Sequence, residues 1–392
     1  MVPAFPRLFE QRGCHLESPR AAREVDRATG PAPENRQTPL EAKRNTVSST
    51  RSVAAQRLRY FNTESAACME VVMIRRPLVL CPIDFSEACC GALRYAAAIA
   101  EHFQSDLLIT TVDDPLLADV DTMTAGSGHL APETARELER FYHATFADRP
   151  VPIPHPRFES VVGNPALEIL ALAARSGADL IVMSSRGASG VRKMFFGSTA
   201  ERVLRETTVP VLVSPPSGTG PAHLSEVRKT VRRVLAPVDL SEASARQVRV
   251  AKGIAEALDV PLLLLHVVEP VRANRASARS LPSVTAERRD RAERSLESMI
   301  ESFGPRPRVE SLVVFGEPSE EIAKVAHDRD AGLIVMGLHA SLRHGPRMGS
   351  VTYRVLCLAH IPVFALPPLP AAGDVALVNR EDAGASSGCT VA

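Results

Sequence analysis

The chain has 392 residues, with 46 Lys+Arg against 45 Asp+Glu for a formal net charge of +1, 45% hydrophobic residues, 4% aromatics and no Trp. That length suits two aliphatic-cored domains with tails. The balanced charge leaves no footprint for nucleic acid or an acidic surface as main partner. No uninterrupted apolar stretch approaches the roughly 18 residues of a membrane helix, so a soluble protein is expected. Seven cysteines (Cys14, Cys68, Cys81, Cys89, Cys90, Cys357 and Cys389) show neither C-x-x-C nor framework spacing. Zinc and disulfide scaffolds are therefore poor readings, and a reducing, cytoplasmic setting is expected.

Residues 1–72 are rich in Arg, Pro, Ala, Ser and Thr without a sustained period, and are expected to be disordered. Glu10, Glu17, Glu24, Asp26, Glu34 and Glu41 make this stretch too acidic for an organelle transit peptide. Met69 and Met73 stand as alternative starts immediately before the first ordered segment. From Arg75 the pattern predicts a strand over Leu78–Ile83 and a helix over Ser86–Phe103, then a strand over Asp106–Val112 and a helix over Pro132–Phe146. A strand over Phe158–Val162 follows. Gly163-Asn164-Pro165 then opens a helix to about Ser176, with Asn164 as cap and Pro165 at the first helical position. The apolar run Leu180–Met183, a helix over Ala200–Arg205 and a strand over Val209–Val213 complete a β-α-β-α-β-α-β-α-β order, which argues for a parallel, doubly wound α/β domain.

The same order then recurs. Asp239 follows Asp84 at an offset of 155, and the helix face Leu93, Ala96, Ala100, Phe103 reappears as Val248, Ala251, Ala255, Leu258. Gly316-Glu317-Pro318 repeats the helix start at 153, Leu333–Met336 repeats Leu180–Met183, and Ile361-Pro362-Val363 repeats Val209-Pro210-Val211 at 152. An internal duplication follows. The expected organisation is domain 1 over 73–215, a linker over 216–229, domain 2 over 230–367 and a polar tail over 368–392.

Chemistry concentrates in Asp179–Thr199. A strand leads into a basic loop with Gly187, Gly190, Arg192 and Lys193, then into Gly197, Ser198, Thr199 and a helix. A glycine loop before a helix N-terminus can turn several backbone N–H groups towards one anion, which suggests a phosphate cradle; glycines before helices are also common for steric reasons alone. Ser198-Thr199-Ala200-Glu201 reads as a capping box. Asp84 and Asp239 end the first strand of each repeat, at the edge where such sheets bind ligands; either could equally cap the helix that follows. Asp113 and Asp114 could hold Mg2+ or form an ordinary polar loop. His266, inside an apolar run, reads as a hydrogen-bonded core histidine. Cys89 and Cys90 are helical neighbours that face different ways, a poor redox pair. The chain has no H-E-x-x-H, G-x-S-x-G or Walker lysine pattern.

P-I-D-F-S at 82–86, the Gly-Asn-Pro helix start and V-M-S-S-R-G-A-S-G-V-R-K-M-F-F-G-S together resemble the universal stress protein family. The resemblance covers both halves. It implies two tandem doubly wound, Rossmann-like domains of the adenine nucleotide alpha hydrolase-like kind, binding ATP, with Mg2+ as a companion ion. Nucleotide-binding members carry G-x2-G-x9-G-[ST], whose backbone holds phosphates and ribose. In the first half Ser184 takes the first glycine place, Gly187 matches the second, and nine residues precede Gly197 and Ser198. In the second half Gly337 matches the first, Ala340 replaces the second, and eight residues precede Gly349 and Ser350. There His339, Arg343, His344 and Arg347 could face a phosphate or form a solvated basic loop.

The resemblance places the adenine against Asp84, Pro82 and Val112, or Asp239, Pro237 and Val267. Met183, Ser184, Gly187, Gly190, Gly197, Ser198 and Thr199, or Met336, Gly337, Gly349, Ser350 and Val351, then complete each site. The first half is the better candidate. The resemblance further implies a role in stress response or signalling with at most slow ATP hydrolysis. It also implies an intramolecular pseudo-dimer through the last strands, with homodimerisation as an extension. A nucleotide-free scaffold for protein partners is the alternative, and a nucleotide-hydrolysing or adenylate-forming enzyme comes third.

Overall fold

A computed structural model describes residues 75–113, 130–148, 150–153, 155–187, 196–270, 281–301, 303, 307–338 and 348–368. The expectations for residues 1–72 and for the tail from 369 onwards lie outside the described residues. The first half runs β1 (Leu78–Pro82), α1 (Glu87–Phe103), β2 (Asp106–Asp113), α2 (Leu130–Thr145), β3 (Arg157–Val162), α3 (Pro165–Ser176), β4 (Leu180–Ser184), α4 (Ser198–Glu206) and β5 (Val211–Ser214). A short helix α5 (Leu224–Thr230) leads to β6 (Val234–Pro237), α6 (Glu242–Leu258), β7 (Leu262–Val268), α7 (Leu281–Glu301) and β8 (Val309–Phe315). The second half closes with α8 (Pro318–Asp328), β9 (Leu333–Gly337), α9 (Ser350–Leu358) and β10 (Val363–Leu366).

All ten strands form one sheet in the order β3-β2-β1-β4-β5-β10-β9-β6-β7-β8. Every recorded neighbour pair is parallel except β5 with β10, where Val213, Leu212 and Val211 run antiparallel to Val363, Phe364 and Ala365. The last strand of each half therefore covers the other's edge, as the sequence led one to expect, and neither is left as a pairing template.

β1, β4 and β5 are buried at every position because helices cover both faces of the sheet. Val79, Cys81, Ile109, Val182 and Val335 point to one layer, with Leu93 of α1, Tyr142 of α2, Val248 of α6 and Leu296 of α7. Leu80, Leu108, Ile181, Leu235 and Ile334 point to the other, with Leu172 of α3, Leu204 of α4, Ile322 of α8 and Leu356 of α9. The period of two along each strand divides these layers.

The helix starts follow local chemistry. Asn164 caps α3, accepting from Leu167 N at 3.4 Å, with Pro165 in the first turn. Glu317 does the same for α8, accepting from Ser319 N at 2.8 Å. Gly163 and Gly316 precede them at φ 152°, and a Cβ on Gly316 would lie 2.6 Å from Glu321 Cγ, so a side chain is excluded there.

Two local expectations change. The capping box at Ser198 does not form: Gly197 is the N-cap, its carbonyl accepting from Glu201 N at 2.8 Å, and Glu201 instead pairs with Arg205 at 2.6 Å. The helix begins one residue early because Gly197 N is already tied to Ser185 O at 2.9 Å. The connection expected as a linker also contains α5, with Val227 and Val231 in the core and Thr219 O 2.7 Å from where a Cβ on Gly91 would sit.

Candidate functional site

In each half the strand order reverses at one point, between β1 and β4 and between β6 and β9. The strands pair there at two positions only, Val79↔Leu180 and Leu80↔Ile181, or Val234↔Leu333 and Leu235↔Ile334. They then part towards their carboxyl ends, leaving the crevice in which open α/β sheets take ligands. Pro82, Asp84, Val112, Met183, Ser184, Gly187, Gly197, Ser198 and Thr199 are on the elements and turns that end at this edge. Pro237, Asp239, Val267, Met336, Gly337, Gly349, Ser350 and Val351 hold the matching positions.

Asp84 Oδ1 accepts from Ser86 N at 3.2 Å, Ser86 Oγ at 2.6 Å and Cys89 Sγ at 2.9 Å. Asp239 Oδ1 accepts from Ser241 N at 3.0 Å and from Ser241 Oγ and Ser244 Oγ, both at 2.6 Å. Each carboxylate thus fixes the entry of the next helix with one oxygen. Phe85 and Leu240, directly after the two aspartates, both adopt left-handed backbone, φ 59° and 62°. Apolar residues visit that region at a cost, so the same turn held twice marks a position the fold over-determines. Burial alone would raise the Asp239 pKa, but the bonds from Ser241 and Ser244 hold it below the usual carboxylate value. Burial first, then the Asp84 charge, pushes the Cys89 thiol up to about 12.

The second oxygen of Asp84 meets the glycine loop. A Cβ on Gly187 would collide with Asp84 Oδ2 where it stands, so a side chain here would push the carboxylate aside. The loop ends are pinned by Gly197 N to Ser185 O at 2.9 Å, and Ser185 N is held by Ser214 O at 2.9 Å. The second half repeats both bonds at 2.8 Å, Gly349 N to Leu338 O and Leu338 N to Leu366 O. Ser184 is 6% exposed, with its Oγ 3.4 Å from Arg186 N. Gly190, Arg192 and Lys193, and His339, Ala340, Arg343, His344 and Arg347, lie outside the described residues.

Asp113 accepts from Ser160 Oγ at 2.8 Å, and Asp114 lies outside the described residues. Among the described residues no three His, Cys, Asp or Glu side chains converge on a metal position. His266 Nδ1 is 2.9 Å from Val238 O, hydrogen-bonded as expected but half-buried rather than in the core. Cys89 and Cys90 diverge, one Sγ against Asp84 and the other 3.7 Å from Thr145 Oγ1.

Sequence reasoning missed Gln247. From α6 its carboxamide reaches Pro237 O, Val335 O and Gly337 N, across the gap between β6 and β9. The available signal was a polar residue beside Val248 on a helix whose duplicate has Ala92 at that offset.

A sequence profile described as the Universal stress protein family matches residues 76–215 and again residues 230–367, well over half of the chain. The chain belongs to the universal stress protein family. Universal stress protein MJ0531 of Methanocaldococcus jannaschii is 31% identical over 139 residues, 34% of this chain and 79% of that protein. A universal stress protein of Thermus aquaticus, encoded in the QAH/OAS sulfhydrylase 3' region, is 31% identical over 133 residues, 34% of this chain and 96% of that one. The solved structure of PA1789 from Pseudomonas aeruginosa PAO1, described as functionally unknown, shares the fold with a TM-score of 0.51 at 18% identity, covering 79% of this chain and 97% of that one. Two universal stress protein units in one chain account for the mirrored half-sheets. No described helix of this family member is long and apolar enough to cross a membrane.

Proposed function

We propose that this tandem universal stress protein binds an adenine nucleotide, ATP, in the crevice of its N-terminal half and acts in a stress response or in signalling without dedicated catalytic machinery. The observation that carries the reading is the Asp84–Gly187 contact at the mouth of the β1/β4 gap: main chain passes the carboxylate so closely that a Cβ would displace it. Close main-chain approach is what a phosphate cradle requires. In this reading Pro82 and Val112 flank the base, and the Asp84 turn accepts from its exocyclic amine. Main-chain amides of Ser184, Gly187, Gly197, Ser198 and Thr199 hold the phosphates beside Met183, with Asp113 near any companion Mg2+. Bound ATP would bring its own triphosphate charge; the chain's part is to shape and orient.

The test is chromatography of nucleotide released from the denatured, purified protein, followed by ATP titration calorimetry. Co-purified ATP, ADP or AMP and a saturable isotherm, both lost in Gly187→Val at unchanged secondary structure, are the expected result. An empty protein with neither isotherm nor thermal shift favours the scaffold reading. That reading draws on the engagement of Asp84 and Asp239 with their own helices and on Ser184 and Ala340 at glycine positions.

A further inference from the structure

One internal side chain of the second crevice has no counterpart in the first. In the second half Gln247 Nε2 donates to Val335 O at 3.0 Å and to Pro237 O, while Oε1 accepts from Gly337 N at 3.1 Å. Only one orientation of the carboxamide serves two carbonyls and one N–H, so the assignment of its oxygen and nitrogen follows from the partners. Gln247 is 8% exposed. Val335 and Gly337 are two apart on β9 and present their polar groups to the side where β6 has turned away. The side-chain amide therefore stands in for the peptide group of a missing parallel neighbour. Asp239 gains a matching internal bond, since Ser244 supplies the hydroxyl where the first half has Cys89.

The duplication says what this side chain replaces. Offsets of 153 and 155 equate Val335, Gly337 and Pro237 with Val182, Ser184 and Pro82, and Gln247 with Ala92. Ala92 is wholly buried and carries a methyl group, which can form none of these bonds. The same gap is thus bridged by the protein itself in one half and left without that bridge in the other.

We infer that Gln247 closes the C-terminal crevice from within, so that the second repeat is a ligand-free structural half and each chain binds one nucleotide, in the N-terminal half. This rests on the nucleotide reading of the first crevice. A ligand entering the second would have to displace three hydrogen bonds, one buried and two half-buried, worth about 100-fold in affinity.

The test uses the full chain, isotope-labelled, with ATP as probe; amide exchange is read at Gly337 and stoichiometry by native mass spectrometry. Wild type should bind one ATP, with Gly337 exchange slow and unchanged by ATP. Gln247→Met keeps volume but cannot bond; Gly337 should exchange at least about tenfold faster, slow again with ATP, and a second ATP should appear. Gln247→Asn, too short to span the gap, replaces it should the Met variant not fold. Two ATP per wild-type chain, ATP-dependent protection of Gly337 in wild type, unchanged Gly337 exchange in the variant, or a variant still limited to one ATP would each overturn the inference. If no form binds ATP, the nucleotide reading fails and with it the one-nucleotide claim, while Gly337 exchange still decides whether Gln247 closes the gap.

Discussion

Asp239 gathers three hydrogen bonds on one oxygen, and its ionised form benefits from all of them. Its folded pKa lies below the ordinary 3.8, so the stabilisation is complete above that value and is lost as pH falls through the lower folded one. Urea midpoints below about pH 4 should therefore fall more steeply in wild type than in Asp239→Asn. Ser244→Ala should cost about 1 kcal/mol at neutral pH, because it deletes one buried donor to that carboxylate. Cys89 and Ser244 are the same position in the two repeats, which makes Cys89→Ser the natural exchange. With its thiol pushed up to about 12, Cys89 should react with iodoacetamide at pH 8 well after the partly exposed Cys90, as peptide mapping would show; equal rates would mean the Asp84 contact is not held.

At the scale of elements, the β5–β10 seam bears the union of the two halves. Ala365 is fully buried and pairs with Val211 on one side and Met336 on the other. Ala365→Pro removes a central donor and brings a ring into the sheet, and should destabilise the chain by about 3 kcal/mol or more in urea unfolding. Hydrogen exchange in β5 should rise with it. The helix starts carry smaller weights. Glu317→Ala, which leaves Ser319 N without its side-chain acceptor, should cost about 1 kcal/mol and fray the first turn of α8, seen as faster exchange there.

For the molecule as a whole, each hydrophobic layer contains residues from both repeats: Val79 with Val335 in one, Leu80 with Ile334 in the other. The two repeats should therefore unfold in a single calorimetric transition, with van't Hoff and calorimetric enthalpies equal. Leu80→Ala, deep in the N-terminal half, should lower stability by about 2–5 kcal/mol and shift C-terminal probes by the same amount. Two separate transitions would show that the seam couples the halves weakly.

The duplication, the parallel α/β order, the Gly-Asn-Pro and Gly-Glu-Pro helix starts and the positions of Asp84, Gly187 and Gly197 were all legible in the amino-acid order. Each depends on local periodicity, backbone permissiveness or short-range capping, which a linear pattern records. The edge pairing of β5 and β10 was expected only from the family resemblance, and the structure shows it. The capping of α4 by Gly197 escaped the pattern, since the bond from Gly197 N to Ser185 O, twelve residues upstream, sets it. The burial of α5 escaped it as well, being decided by contacts with α1 across a long stretch of chain. Gln247 is the sharpest instance: its role needs three atoms from β6 and β9 brought to one point, 88 and 90 residues away for two of them. Such convergence is a property of folded space, and no spacing along the chain encodes it.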